Sequence, residues 1–283
     1  MNDLPPLLIA LQSSHPSFPA LEYGENLAKV LRTPVRLLCM RQAGSSALLE
    51  EQVQRSALAL KELDVLVDIR WADGDLVKAV LREVNQMPEA MLVISDKYRP
   101  IWRRWVRFGR FRRLQASLTS PILRVREVCW PPQNIIVCSG GLPYTIPVER
   151  LAVRLARSVG ARLTFLHVVE PITLDYPLAR EIHSHWEHLL QTDTPQARHL
   201  KQALDFAERL GVEARVVVRH GLILHEILDE IRSGGYDLVG MGSTYSSTSL
   251  SRLFRPDVTA LVSAAVDCPL LSQRGPAENS DAG

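Results

Sequence analysis

Long apolar runs are missing from this chain. Nowhere does it reach the roughly 18 apolar residues of a membrane span, although hydrophobic residues make up 46% of its 283. Cysteine is scarce. Cys39, Cys129, Cys138 and Cys268 form no Cys-x-x-Cys pair, which removes the commonest zinc and dithiol motifs. Cys39 and Cys138 lie in apolar stretches, where a buried free thiol in a reducing compartment is expected. The start, Met1-Asn-Asp-Leu-Pro-Pro6, lacks the charged and apolar segments of a secretion signal, so a cytoplasmic location is expected. An excess of one charge is also absent, and the net charge of +2 selects no partner. There is no intact Walker loop and no Gly-x-Ser-x-Gly elbow. Ser139-Gly-Gly141 is the nearest thing to a nucleophile turn, but no base can be assigned to it. No catalytic residue is therefore named, and the chain is not expected to be an enzyme. Glu181, His185 and His188 share a helical face by spacing, with His183 nearby. That set could hold zinc or nickel, but a polar helix face is preferred and no metal is expected.

What the chain does have is a repeat. Leu27-Ala-Lys-Val-Leu-Arg-Thr-Pro-Val-Arg-Leu-Leu-Cys-Met40 lies without a gap on Leu155-Ala-Arg-Ser-Val-Gly-Ala-Arg-Leu-Thr-Phe-Leu-His-Val168, an offset of 128 residues. The same offset carries Leu7 to Ile135. Further on, Gly74 matches Gly221 at an offset of 147, so the second copy carries 19 extra residues between Val169 and Lys201, read as a longer or broken helix. Two copies of one domain follow, with sites to be sought at matched positions. In the first copy, short apolar strands near 6–11, 34–40, 65–71, 91–95 and 122–125 alternate with helical spacing over 18–32, 45–63, 75–84 and 111–118. The second copy repeats the order, with strands near 134–139, 161–168, 213–219, 236–241 and 269–272. Apolar strands separated by amphipathic helices predict a parallel sheet covered on both faces. The expected domains are 1–127 and 133–274, joined by Glu127-Val-Cys-Trp-Pro-Pro-Gln133, with a polar tail at 275–283 expected to be disordered.

Leu166-His-Val-Val-Glu-Pro171, Asp237-Leu-Val-Gly-Met-Gly-Ser243 and Cys268-Pro-Leu-Leu271, set in two five-stranded copies, resemble a tandem universal stress protein. The resemblance implies an α/β fold of two open parallel sheets of the adenine-nucleotide α-hydrolase-like type, each with strand order 3-2-1-4-5. It also implies pairing through the last strand, between the two copies or in a homodimer. One branch of the family holds ATP or AMP on a Gly-x-x-Gly loop followed, nine residues on, by Gly-Ser or Gly-Thr. Gly242 fits the first glycine here, but Tyr245, Arg255 and Pro256 stand at the later positions. In the first copy Ser95 and Tyr98 replace the two opening glycines, and Gly109 lies one residue from the third. The signature is degraded in both copies.

Two groups of site residues remain. Nucleotide candidates in the second copy are Ser139, Gly140, Gly221, Gly242, Ser243, Thr244, Ser246, Ser247 and Arg255, with Ser249 alongside. The glycines admit backbone donors, the hydroxyls donate to phosphate, and Arg255 is the counter-charge. The competing reading is a solvated Ser/Thr-rich loop with Ser251 as a helix cap. His167 is read as structural, and His220 as a weaker candidate facing the ligand crevice. In the first copy, residues 99–113 contain seven arginines and no acid. Arg99, Trp102, Arg103, Arg104, Trp105, Arg107 and Arg110 could engage an anionic small molecule, nucleic acid, an anionic membrane surface or an acidic protein. Equally, the aromatics could anchor the loop while the arginines reach solvent. The function expected is regulatory: a stress-protein-like module that senses or docks an anionic ligand or partner, without catalysis and with no certain cofactor. The alternative is an ATP- or AMP-binding stress protein with weak ATP hydrolysis in the second domain.

Overall fold

The computed structural model describes residues 4–12, 18–41, 46–95, 109–141, 143–170, 186–243 and 258–275. They fall into two units, Met1–Pro131 with Asp267–Leu271, and Pro132–Val266 with Ser272–Gly283.

In the first unit, β1 (Leu7–Gln12), β2 (Val35–Met40), β3 (Val67–Ala72), β4 (Met91–Ser95) and β5 (Ile122–Val125) stand in the order β3-β2-β1-β4-β5. Every registered pair is parallel. The connections are α1 (Pro19–Leu31), α2 (Ser46–Lys61), α3 (Leu76–Gln86) and α4 (Gly109–Ser117). Successive strand residues face opposite sides, so a sheet covered on both faces needs apolar residues at nearly every position. β1 meets that demand with five buried residues out of six. On one face Leu8, Leu38 and Leu92 pack against Val77 and Val80 of α3 and Leu114 of α4, with Phe111 partly buried beside them. On the other, α1 approaches so closely that a Cβ at Gly24 would lie 2.5 Å from Ile9 Cδ1.

The second unit repeats this plan. β6 (Asn134–Cys138), β7 (Arg162–Val169), β8 (Ala214–His220), β9 (Leu238–Ser243) and β10 (Leu270–Arg274) follow the same scheme. The order β8-β7-β6-β9 continues to β10 beside β9, so both units read 3-2-1-4-5. Its helices are α5 (Ile146–Val159), α6 (Pro195–Arg209), α7 (Ile223–Gly234) and α8 (Val258–Ala265). The offset of 128 places β1, α1 and β2 on β6, α5 and β7, and the offset of 147 carries the later elements over. The extra residues precede α6. Of these, the structure describes a 3-10 turn at Trp186–Gln191, distinct from α6, which Thr194 caps by accepting from Ala197 N at 3.2 Å. Among the described residues no helix is long and apolar enough to cross a membrane.

Candidate functional site

In an open parallel sheet a ligand crevice forms outside the carboxyl ends of the strands, where the strand order reverses. In the second unit that place lies between β6 and β9. The chain leaves β6 through Ser139, Gly140 and Gly141, then makes a 3-10 turn at Pro143–Thr145 before entering α5. The turn closes on the glycines around it. A Cβ on Gly140 would collide with the Tyr144 hydroxyl. One on Gly242, in β9, would lie 2.9 Å from Thr145 Cγ2 and 3.1 Å from Thr145 Cα. One on Gly275 would lie 2.6 Å from Tyr144 Cα. These glycines allow the protein's own turn to approach the sheet.

Ser139 is buried, and both its hydroxyl and carbonyl oxygens accept hydrogen bonds. Its hydroxyl oxygen accepts from Gly141 N at 3.2 Å, and its carbonyl accepts from His167 Nδ1 at 3.0 Å. That bond puts a proton on Nδ1. Burial holds the His167 pKa below its ordinary value, partly offset by the Ser139 carbonyl, with His199 lowering it further. Behind the turn, His199 Nε2 lies 3.0 Å from both carboxylate oxygens of Glu149 and 3.3 Å from Thr145 Oγ1. Glu149 and His199 are 4% and 9% exposed, so this is a buried polar pair joining α5 to α6.

The candidates named from sequence are thus partly brought together. Ser139, Gly140 and Gly242 converge around the turn. Gly221 ends the edge strand β8, its N–H donating to Val169 O at 3.0 Å, and a Cβ there would meet the Glu226 carboxylate at 2.6 Å. It therefore lies away from the β6–β9 crevice. Ser243 ends β9. Thr244, Ser246, Ser247, Ser249, Ser251 and Arg255 lie outside the described residues, as do Tyr98, Tyr245 and Pro256. So do Arg99, Trp102, Arg103, Arg104, Trp105 and Arg107; Arg110 is described only as part of α4. Glu181, His183 and His185 are outside as well, and His188 is exposed in the 3-10 turn. Among the described residues no group of three metal-binding side chains forms.

Sequence reasoning missed Tyr144, Thr145, Glu149 and His199. Their only early signal was position: Tyr144 and Thr145 follow the Gly-Gly turn by a few residues. Glu149 and His199 come from two helices far apart in the chain.

The pattern of the universal stress protein family matches residues 132–272. The chain belongs to the universal stress protein family through this second copy. Whole-chain likenesses show the same two-unit fold. A universal stress protein from Archaeoglobus fulgidus DSM 4304 is 12% identical at a TM-score of 0.67, over 95% of this chain and 96% of that one. A protein of unknown function from Pseudomonas aeruginosa PAO1 is 14% identical at a TM-score of 0.71, over 97% and 94%. A third, from Pseudomonas aeruginosa UCBPP-PA14 and named for the universal stress proteins, is 13% identical at a TM-score of 0.72, over 96% and 94%. Among curated proteins nothing matches the sequence. The protein is thus a stress-protein module with a Rossmann-like sheet in each copy, and the described residues display no catalytic constellation.

Proposed function

We propose that this stress protein is a regulatory binding module that docks an anionic ligand or partner and carries out no chemistry. The observation that supports this most is the closure of the β6–β9 crevice by Tyr144 and Thr145, against Gly140, Gly242 and Gly275. A nucleotide phosphate needs those backbone approaches for itself. Ser139, the nearest nucleophile, accepts from Gly141 N through its hydroxyl oxygen, and the neighbouring His167 spends Nδ1 on the Ser139 carbonyl. The anion-facing groups proposed are Ser243, Thr244, Ser246, Ser247 and Arg255 in the second copy, and the arginines of 99–113 in the first.

Thermal-shift titration with ATP, AMP and magnesium tests this. The expected result is no saturable shift in the wild type and a gain of binding in Tyr144→Ala with Thr145→Gly, which removes the side chains packed on Gly140 and Gly242. A saturable wild-type shift that disappears in Gly242→Trp would instead establish the ATP- or AMP-binding reading, and phosphate release would then measure any weak hydrolysis. For the first copy, replacing Arg103, Arg104 and Arg107 by Ala should abolish binding to anionic liposomes or nucleic acid, in a salt-dependent manner. Unchanged binding removes that segment from the account.

A further inference from the structure

The second unit has a cleft of about 200 Å³ between α5 and α6. Its wall carries Glu149, Arg150, Phe165, His199, Phe206 and Arg209. The guanidinium carbons of Arg150 and Arg209 lie 5.7 and 5.9 Å from the Phe206 ring centroid. Neither arginine forms a salt bridge among the described residues, so two like charges flank one ring without a carboxylate between them. Glu149, the acid of the cleft, is already taken by His199. An anion seated beside the ring would have guanidinium donors within reach.

The fold does not require this arrangement, because the first unit builds the same helix pair without it. The two helix ends are in fixed register. Val65 N donates to Leu60 O at 3.1 Å as Val212 N donates to Ala207 O at 2.9 Å. At the matched positions, Glu149 is replaced by buried Leu21 and His199 by Gln52. Arg150 becomes Glu22, Arg209 becomes Glu62, and Phe206 becomes Ala59. Both arginines are reversed in sign and the aromatic wall is gone. A buried ionisable pair is a costly way to join two helices when a leucine suffices. Its presence in one copy only marks a built site.

We infer that the α5–α6 cleft binds a small organic anion with a flat apolar body, in chemical class an aromatic carboxylate. Arg150 and Arg209 take the carboxylate, while Phe206 offers the apolar wall. The cleft is smaller than the 300–1,000 Å³ typical of sites for drug-sized ligands, which favours a small anion. It opens behind the turn that closes the β6–β9 crevice, and its test is read separately from the nucleotide titration.

Calorimetric titration of the full chain with benzoate tests the inference, with benzamide and inorganic phosphate as comparisons. Benzoate should bind saturably. Benzamide, which lacks the charge, and phosphate, which lacks the ring, should bind at least about tenfold more weakly. Arg150→Glu with Arg209→Glu, which installs the first unit's residues, should lose benzoate. Arg150→Gln with Arg209→Gln should do the same with less disturbance, circular dichroism checking that each variant is folded. Phe206→Ala should weaken benzoate while leaving phosphate unchanged. Absence of saturable benzoate binding, equal binding by benzamide or phosphate, or undiminished binding in the folded glutamine variant overturns the inference.

Discussion

Gly160 ends α5 at φ 71, and Arg32 ends α1 at φ 50, one repeat earlier. Gly211 at φ 70 and Asp64 at φ 59 form the same kind of pair after α6 and α2. A left-handed residue closes each helix, and a side chain there costs about 1–2 kcal/mol that glycine avoids. Asp64→Gly should therefore stabilise the protein by up to about 1 kcal/mol, and Gly211→Ala should destabilise it by about the same amount, both read by urea unfolding. The titrating groups set a two-sided pH profile. Burial pushes Cys39 up to about 12, and burial with Glu230 nearby does the same for Cys138. Above pH 9 the unfolded thiols ionise while the folded ones stay protonated, so the unfolded state binds fewer protons and stability falls towards about 12. His167 acts at the other end: its folded pKa is lowered from 6.5, so the unfolded chain takes up a proton first and stability falls as pH drops below that value. Urea midpoints across pH should show both slopes, and His167→Asn should flatten the acid one. The thiols and His167 were legible early, because an apolar strand leaves its polar members little choice but burial. Tyr144 was not, because nothing local says that a loop tyrosine will pack back on Gly140 and against Gly275 from the far end of the chain.

At the scale of elements, the strands were readable because a sheet buried on both faces leaves nearly continuous apolar runs. β2, β4 and β5 fall within a residue of their expected bounds. The order 3-2-1-4-5 came from the family resemblance and holds in both units. What joins one helix to another was not readable, since Glu149 and His199 meet across elements that sequence spacing does not relate. Their coupling can be measured by a double-mutant cycle. Glu149→Leu alone should cost about 1–3 kcal/mol by stranding the buried imidazole. Glu149→Leu with His199→Gln, the first unit's solution, should recover most of that loss. Additive losses in urea unfolding would show that the pair is not coupled. The copies also differ at the amino ends of their strands. Arg36 on β2 bridges Asp68 and Glu83 at 2.9 Å each, whereas its counterpart Thr164 accepts from Arg215 at 3.2 Å beside a cavity of about 270 Å³.

Across the whole molecule the repeat conserves topology and changes chemistry. Each unit serves as the other's internal control, which is how the α5–α6 cleft stands out. One group of the first unit comes from far along the chain. Arg124 on β5 is 0% exposed, and it donates to the Cys268 carbonyl at 3.2 Å. Cys268 belongs to the 267–271 segment that clusters with the first unit. A fragment of residues 1–131 should therefore be loosened around β4 and β5. Amide exchange at Leu92, Val93, Leu123 and Arg124 should be at least about tenfold faster than in the full chain, in line with losing a hydrogen bond to a charged group. Equal protection would show that β5 needs nothing from beyond residue 131.

The Arg124–Cys268 bond also has a consequence in time. During synthesis the first unit emerges first, yet the carbonyl that receives its buried guanidinium is not made until the second unit is almost complete. At about 5–20 residues per second, that interval is on the order of ten seconds. For that long the nascent chain lacks one acceptor of its Arg124 guanidinium, a window in which a chaperone could recognise the half-finished protein.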